Sequence, residues 1–415
     1  MELVQIFSIL FFILLFLKTG FELYLNWRNQ EYVRAHGSSV PAPFEGKITP
    51  AEHKKAADYT VEKSKLSRFN LIFGLVSLII WLPCGLLNSL DQYVTSNFDT
   101  EITRGLALFF IFSMINLIIS LPVDYYSTFV LEEKFGFNKT DKKTFFTDLV
   151  KKVLLSIVIA LPFLYVLLKI VLSLGQMWWF YAWSFLIGFQ FLMIMIYPNF
   201  IAPLFNKFST IEDGELKSKI LALLEKTGFQ SNGLFIMDAS KRSSHGNAYF
   251  TGFGKTKRIV FFDNLIKSLE PNEVEAVLAH ELGHFKHKHI FKMLTVSILG
   301  ALIGFAILGY LYESNTFFTG HFIEQRSSYM ALLLFSLVSP LYTFFLTPIF
   351  SILSRKHEYE ADAFAAKYSQ AKDLISALVN LYKENASTLT PDPLFSKIYH
   401  SHPPALERIK HLESL

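Results

Sequence analysis

The sequence has 415 residues, of which 52% are hydrophobic and only 18% are charged, a composition that excludes an ordinary soluble globular protein. Its formal net charge of +4 is too small for this length to indicate nucleic acid binding. The single cysteine, Cys84, excludes an intramolecular disulfide and a cysteine-based zinc site, which leaves histidines and carboxylates as zinc ligands.

Apolar runs long enough to cross a bilayer, about 20 helical residues each, occur along the whole chain. There are seven of them, at Leu3–Phe21, Phe69–Leu87, Gly105–Val123, Val153–Leu172, Met177–Tyr197, Met293–Tyr312 and Tyr329–Leu353. The first run contains Lys18 and has only Glu2 as a charge before it. We therefore interpret it as a retained span and not as a cleaved signal peptide.

The loops between these runs alternate in their content of lysine and arginine. Eight basic residues lie between the first and second runs and six between the third and fourth, whereas the loops of the opposite side contain one or none. By the positive-inside rule, the amino terminus faces outside, and the large loops and the carboxyl terminus face the cytoplasm. The host membrane would be a bacterial inner membrane or the endoplasmic reticulum, depending on the source.

Two polar regions fall on the predicted cytoplasmic side. We therefore divide the chain into a membrane domain (1–203), a first catalytic segment (204–292), spans six and seven (293–353) and a second catalytic segment (354–415). In the first segment, GLFIMDAS (Gly233–Ser240) and KRIVFFD (Lys257–Asp263) predict a strand pair, either a small β-hairpin or part of a sheet. A helix is expected to begin near Pro271, a residue suited to a first helical turn.

The predicted helix carries the sequence HELGH, an HExxH pattern. His280 and His284 lie one turn apart on one helix face, where two imidazoles bind one Zn²⁺ while Glu281 points towards its water and acts as general base. The second segment opens with SRKHEYEADAFA, which again predicts a helix. On it, Glu358 is expected to complete a His₂Glu site, and Asp362, four residues later, to accept an imidazole N–H. A purely structural zinc remains the alternative.

Other charged groups near these motifs have simpler interpretations. His287 and His289 alternate with lysines, and this pattern predicts a basic helix end that faces solvent or lipid headgroups. Glu360 is expected to face water, as acidic residues on helices usually do.

Six motifs together resemble one family, the integral-membrane zinc metalloproteases that include the type I CAAX prenyl, or a-factor-converting, proteases. They are YYSTFVLEEKFGFNKT (Tyr125–Thr140), YPNFIAPLFNKF (Tyr197–Phe208), SSHGNAYFTG (Ser243–Gly252), HELGH (His280–His284), EYEAD (Glu358–Asp362) and SHPPALERI (Ser401–Ile409). The first motif is specific to the CAAX-type branch. A shorter relative, the heat-shock-linked bacterial membrane metalloprotease, would lack the first several spans.

The resemblance implies an all-α polytopic membrane protein whose seven transmembrane helices enclose a chamber, capped by a mainly α cytoplasmic zinc-protease domain. It implies one Zn²⁺ per chain and a peptide or lipidated-peptide substrate that is cleaved after a prenylated cysteine near its carboxyl terminus. His402 and Arg408 match the family's motif and would stabilise the oxyanion. In GNAYF, Asn247, Ala248 and the adjoining Tyr249 would bind the substrate as an edge segment.

Two other functions remain open from the sequence. One is a membrane-protein quality-control metalloprotease of broad specificity. The other is a transporter or scaffold in which zinc only joins two cytoplasmic segments, although transporters usually carry charges within their spans and here only Lys169 stands out.

Overall fold

The structure, a computed structural model, describes residues 2–231, 233–251 and 258–415. Gly252, the last residue of one quoted motif, and Lys257, the first residue of a predicted strand, lie outside the described residues. In the part that is described, seven helices are long and apolar enough to cross a membrane. The predicted number of spans is therefore confirmed.

The first five spans are built from long helices joined by short turns. In chain order the helices are α1 (Glu2–His36), α2 (Pro50–Trp81), α3 (Leu86–Asn97), α4 (Glu101–Tyr126), α5 (Glu133–Phe135), α6 (Lys142–Ser173), α7 (Trp178–Ile196) and α8 (Ala202–Phe205). Two π-helical segments, Ser127–Glu132 and Tyr197–Ile201, join α4 to α5 and α7 to α8. The third and fifth spans thus continue without a break into the polar part of the molecule.

The remaining helices form spans six and seven and most of the catalytic region, the name used here for the two predicted catalytic segments (204–292 and 354–415) together. They are α9 (Glu215–Thr227), α10 (Asp263–Ser268), α11 (Pro271–Lys286), α12 (His289–Tyr312), α13 (Asn315–Gly320), α14 (Ser328–Thr343), α15 (Thr347–Tyr368), α16 (Ala371–Glu384), α17 (Pro393–Tyr399) and α18 (Ala405–Glu413). The seventh span comprises α14 and α15, and α15 runs on into the second polar region. The predicted boundary between 353 and 354 therefore lies inside a helix.

The first two spans extend several turns beyond their apolar runs. A Thr49–Glu52 capping box and Pro50 begin α2 well before the predicted start at Phe69. The added turns contain alanine, lysine and glutamate, which are good helix formers in water. As a result, α1 and α2 reach the catalytic region and form one side of it.

The spans form a closed ring. Each packs against the next in chain order, and α14 of the seventh packs against α1 of the first. Buried apolar side chains of all the spans meet at one end of the ring, among them Leu108, Leu168, Leu308 and Met330. Towards the other end the helices bury few side chains against one another, and α7, for example, buries none after Ala182.

Close helix contact at the packed end depends on Gly105. A Cβ atom at this position would lie 2.7 Å from Leu168 Cδ1 and 2.8 Å from Tyr329 Cβ, too close for either neighbour. The glycine thus lets the third, fourth and seventh spans meet.

The catalytic region contains a four-stranded sheet of β1 (Phe208–Thr210), β2 (Leu234–Met237), β3 (Ala248–Thr251) and β4 (Arg258–Phe262), in the order β1-β2-β4-β3. The predicted strands β2 and β4 are neighbours, as expected, and they pair in parallel, so of the two alternatives the sheet is confirmed and not a hairpin between them. Instead, β3 pairs antiparallel with β4 and lies at the sheet edge.

A separate apolar core holds the sheet on the helices. Ile259 and Phe261 of β4 pack with Leu278 and Leu282 of α11, and α9, α15 and α16 surround the same helix. Helix α11, which begins at Pro271 as predicted, is therefore the central element of the catalytic region.

Candidate metal centre

Helices α11 and α15 approach each other unusually closely, and Gly283 makes this possible. A Cβ atom at Gly283 would lie 2.9 Å from Ala361 Cα and 3.0 Å from Phe364 Cβ. Any side chain would therefore push the two helices apart. The glycine within HELGH thus brings His280 and His284 of α11 next to Glu358 of α15.

The three predicted ligands converge on one point. Nε2 of His280 and Nε2 of His284 are 3.2 Å apart. Glu358 places Oε1 3.2 Å from His284 Nε2 and Oε2 3.5 Å from His280 Nε2. A tetrahedral zinc ion with bonds of about 2.0–2.2 Å needs donors about 3.3–3.5 Å apart, so these residues fit a zinc ion.

The carboxylate of Glu358 gives a second indication that the site suits a metal ion. The side chain is buried, with 2% of its surface exposed. His402 Nδ1 lies 2.8 Å from Oε2, yet no donor among the described residues is directed at this oxygen with hydrogen-bond geometry. A buried anionic oxygen without an aligned donor is costly unless a cation completes its surroundings.

His280 contacts a buried ion pair, formed by Asp362 and Arg408, through the ring nitrogen that does not face Glu358. Its Nδ1 lies 2.8 Å from Asp362 Oδ1, and Arg408 binds the same carboxylate through Nε at 2.9 Å and Nη2 at 2.6 Å. Burial and the charge of Arg408 lower the pKa of His280, but its interactions with the carboxylates of Asp362 and Glu358 outweigh them and raise it to about 9. Surroundings that favour a proton on this imidazole also favour a divalent cation beside it.

The two residues expected to stabilise the oxyanion occupy different surroundings. The side chain of His402 is 64% exposed beside Glu358. Arg408 is buried and engages Asp362 with two of its nitrogens, while its third, Nη1, lies 3.7 Å from Glu358 Oε2. His402 is therefore accessible from outside the centre, and Arg408 lies behind it.

Glu281 is half-buried next to His280 on α11. Within the described residues it makes no hydrogen bond or ion pair. Its carboxylate is therefore not committed to a structural partner, in contrast to Glu358 and Asp362.

A cavity of ≈ 800 Å³ adjoins the centre. His402 and Asn247 line it together with Lys63 of α2, Asn385 and Tyr399. The walls come from the first two spans, from the loop before β3 and from the carboxyl-terminal helices. Most of these side chains carry groups that can form hydrogen bonds with a peptide main chain.

The three residues expected to bind substrate do not all face the cavity. Asn247 is exposed to the cavity, and its carbonyl accepts a hydrogen bond from the Phe262 amide at 2.9 Å. Ala248 begins the edge strand β3. The Tyr249 side chain instead packs on Phe262 and lines a different pocket beside Pro198.

A polar network that was not predicted from the sequence holds the loop before β3. His245 stacks on Phe137, with ring centroids 4.5 Å apart, and lies 3.5 Å from Glu132, which also accepts a 2.6 Å hydrogen bond from Tyr59. Asn385 Oδ1 accepts from the Gly246 amide at 3.2 Å. Two of the quoted motifs contain Glu132, Phe137, His245 and Gly246, whereas Tyr59 and Asn385 lie outside all six motifs, and nothing in the spacing indicated that these residues would meet.

The expected solvated position of His289 is wrong, since only 3% of the residue is exposed. Glu360, expected to face water, is half-buried and binds His289. His287, by contrast, is exposed as predicted.

Comparisons with known proteins cover nearly the whole chain. A family model described as CAAX prenyl protease N-terminal, five membrane helices, matches residues 29–207, and a model described as peptidase family M48 matches residues 210–415. CAAX prenyl protease 1 of Saccharomyces cerevisiae is 35% identical, with 95% of this chain and 92% of that protein covered.

A second relative and a solved structure are similar to this chain over nearly their whole length. The CAAX prenyl protease 1 homolog of Homo sapiens is 32% identical, with 93% of this chain and 91% of that protein covered. The crystal structure of S. mikatae Ste24p has a TM-score of 0.92 and 34% identity, covering 98% of this chain and 99% of that one.

Proposed function

This chain belongs to peptidase family M48, in its CAAX prenyl protease branch, and on that premise we propose that it is a zinc-dependent membrane endopeptidase that cleaves prenylated proteins near their carboxyl terminus. One observation carries the proposal. The donors of His280, His284 and Glu358 are spaced for zinc, and His402 lies between them and a cavity that the first two spans help to line.

We assign one zinc ion per chain to these three donors. When bound, the ion would polarise the scissile carbonyl and make a water molecule more acidic. Three protein ligands leave a coordination position open, as catalytic zinc sites require and structural sites usually do not.

Glu281 takes the proton of the attacking water and returns it to the leaving amine in this proposal. Its carboxylate lies on the ligand helix beside His280 and has no other partner among the described residues. His402 donates a hydrogen bond to the oxyanion, because it is the exposed group next to Glu358. Arg408 acts through Nη1, the nitrogen that Asp362 does not engage.

The edge strand β3 binds the peptide in this proposal. Its main chain pairs with β4 on one side, and the described sheet contains no strand on the other side. An extended substrate can add there as a further strand, with Asn247 and Ala248 supplying main-chain hydrogen bonds and Tyr249 holding the strand from its opposite face. The lipid group would remain in the membrane chamber.

The integral membrane protein is expected to keep both catalytic segments in the cytoplasm. Contacts between the basic loops and the catalytic region support this orientation. Arg28 binds Asp392 at 2.8 Å and Lys383 lies 3.0 Å from Glu52, so the lysine-rich and arginine-rich loops share a membrane side with the metal centre.

The test compares two peptides that differ only in a farnesyl group on a cysteine near the carboxyl terminus. Purified full-length protein is assayed with each peptide, with and without a zinc chelator. The farnesylated peptide should have the lower KM, because each buried CH₂ adds roughly 0.8 kcal/mol of transfer energy, part of which is realised in binding.

The chelator should abolish cleavage of both peptides, and added zinc should restore it. Equal kcat/KM for the two peptides, measured where both are monomeric, would contradict the prenyl specificity and leave a protease of broad specificity. Cleavage that persists without metal would contradict the metal centre itself.

A further inference from the structure

A second imidazole lies directly behind the zinc ligand His284. His289 Nδ1 is 3.1 Å from His284 Nδ1, and His289 Nε2 is 2.9 Å from Glu360 Oε2. The ring of His357 stacks on His289 with centroids 4.0 Å apart and an interplanar angle of 13°. His289 is thus held on three sides in the interior.

A break in the helix creates this arrangement. In one continuous helix, residues five apart would point about 140° away from each other. Lys288 has a left-handed backbone, with φ of 56°, and it separates α11 from α12. The break turns His289, the first residue of α12, back towards His284.

The positions of the protons follow from the proposed metal centre. His284 directs Nε2 towards His280 and Glu358, so its proton is on Nδ1. A hydrogen bond between two Nδ1 atoms needs one donor and one acceptor, and therefore His289 Nδ1 accepts. The proton of a neutral His289 is then on Nε2, where Glu360 accepts it.

We propose that His289 is a positioning residue that holds His284 in the tautomer and ring orientation required for zinc, and that Glu360 orients His289. The inference rests on the proposed metal centre and extends it. The two ligand histidines are thus supported differently, since His280 binds a carboxylate directly and His284 binds a carboxylate through a second histidine. Such outer partners usually change metal affinity by about 10–100-fold when they are removed.

The same cluster could instead hold a second metal ion, because one ligand atom from each of His287, His289 and Glu360 lies within 4.8 Å of the others. Binding through the His289 nitrogen that faces Glu360 would require that nitrogen to be unprotonated. The proton would then move to Nδ1 and meet the proton of His284 at 3.1 Å. Lys292, 3.9 Å from Glu360, and Lys356, 4.0 Å from it, also oppose a second cation. The geometry therefore favours the positioning role.

The experiment measures zinc stoichiometry and zinc dissociation constants by chelator competition on the purified full-length protein. His289→Ala should bind zinc about 10–100-fold more weakly than the unmodified protein. His289→Asn should stay within about threefold, because its side-chain oxygen can occupy the place of Nδ1 and accept from His284. His289→Gln, which carries its oxygen further out, should resemble the alanine variant.

His287→Ala is the matched control, since an exposed residue outside the hydrogen-bonded chain should leave zinc binding unchanged. Loss of one of two zinc ions in His287→Ala would overturn the proposal in favour of a second metal site. An unchanged zinc dissociation constant in His289→Ala would overturn it as well. Thermal unfolding of the metal-free variants shows whether His289→Ala destabilises the fold. If it does, the difference in zinc affinity between His289→Asn and His289→Gln decides whether His289 has the positioning role.

Zinc binding is measured without peptide, and so the inference can fail separately from the proposed function. A protein that binds one zinc ion through His289-dependent geometry but cleaves no peptide would contradict only the function. A protein that cleaves peptides while His289→Ala binds zinc normally would contradict only the positioning role.

Discussion

The two ends of the ring of spans differ in how their helices are held together. At the end away from the metal, apolar side chains such as Phe318 and Met330 are almost fully buried. At the metal end, long-range polar contacts such as Arg28–Asp392 and Tyr59–Glu132 join the elements around an open cavity. Packing at one end thus stabilises a fold whose other end remains open to a substrate.

The packing that stabilises the fold and the residues of the metal centre thus lie at opposite ends of the spanning helices. The packed end also pairs its few polar groups, as in the 2.7 Å hydrogen bond from Tyr329 to Asp91. Substitutions at the two ends should therefore affect different measurements, and the following predictions test that separation.

Glu281→Gln should lower kcat by about 10²–10⁴-fold, because the amide cannot accept the proton of the attacking water. Zinc content and thermal stability should remain unchanged, since Glu281 is not a ligand and lies outside the packed end. Peptide hydrolysis, metal analysis and thermal unfolding measured on one preparation check all three expectations. Near-normal turnover would show that another group is the base.

Phe318→Ala should have the opposite effect to Glu281→Gln, lowering stability and leaving catalysis unchanged. Phe318 is 1% exposed in the packed end, and its removal should lower the free energy of unfolding by about 2–4 kcal/mol. The folded fraction should keep its KM and its zinc affinity. Phe69→Ala is the matched control, since Phe69 is 54% exposed and its removal leaves no cavity. A specific loss of zinc affinity in Phe318→Ala would mean that the two ends are coupled.

His402→Ala and Arg408→Ala should separate two roles within the metal end. Loss of the exposed His402 should lower kcat by about 10²-fold with little change in zinc affinity, as expected for an oxyanion donor. Loss of Arg408 removes a positive charge near the metal, but it also removes the two hydrogen bonds that hold Asp362 against His280, and this loss of positioning should lower zinc affinity as well. Identical effects of the two variants on zinc binding would contradict this distinction.

Zinc affinity should rise about tenfold per pH unit between pH 7 and pH 9. The pKa of His280 is raised to about 9 in the metal-free protein, and so zinc must displace a proton below that pH. For the same reason, His280 stabilises the metal-free fold fully below about pH 6.5 and less as pH rises through 9. Chelator competition and thermal unfolding across this range provide the measurement, and a pH-independent affinity would contradict the shift.

Much of this architecture can be predicted from the sequence. The seven apolar runs, the start of α11 at Pro271 and the pairing of β2 with β4 all depend on local composition and periodicity. The sequence left the direction of that pairing open, because local composition does not determine the order of strands in a sheet. The polar extensions of α1 and α2 were not predicted, because the spans were identified as apolar runs and these runs end where charged residues begin.

The predicted zinc ligands follow from helical spacing, which places His280 and His284 on one face. His289 could not be placed in this way, because helical periodicity puts it away from His284 unless the helix breaks at Lys288. A left-handed lysine has no sequence signature. In general, contacts created by a backbone break or by a distant segment, such as Asn385 on the loop before β3, require the structure.

The ligand helices also determine how the bilayer acts on the metal. Glu358 lies on α15, which is part of the seventh span, and only two residues, His287 and Lys288, separate the helix of His280 and His284 from the sixth span. Spans tilt when the hydrocarbon thickness does not match their length. A change in lipid chain length would then move one set of donor atoms relative to the other. We therefore expect bilayer thickness to affect zinc affinity through these two helices, without any contact between lipid and zinc.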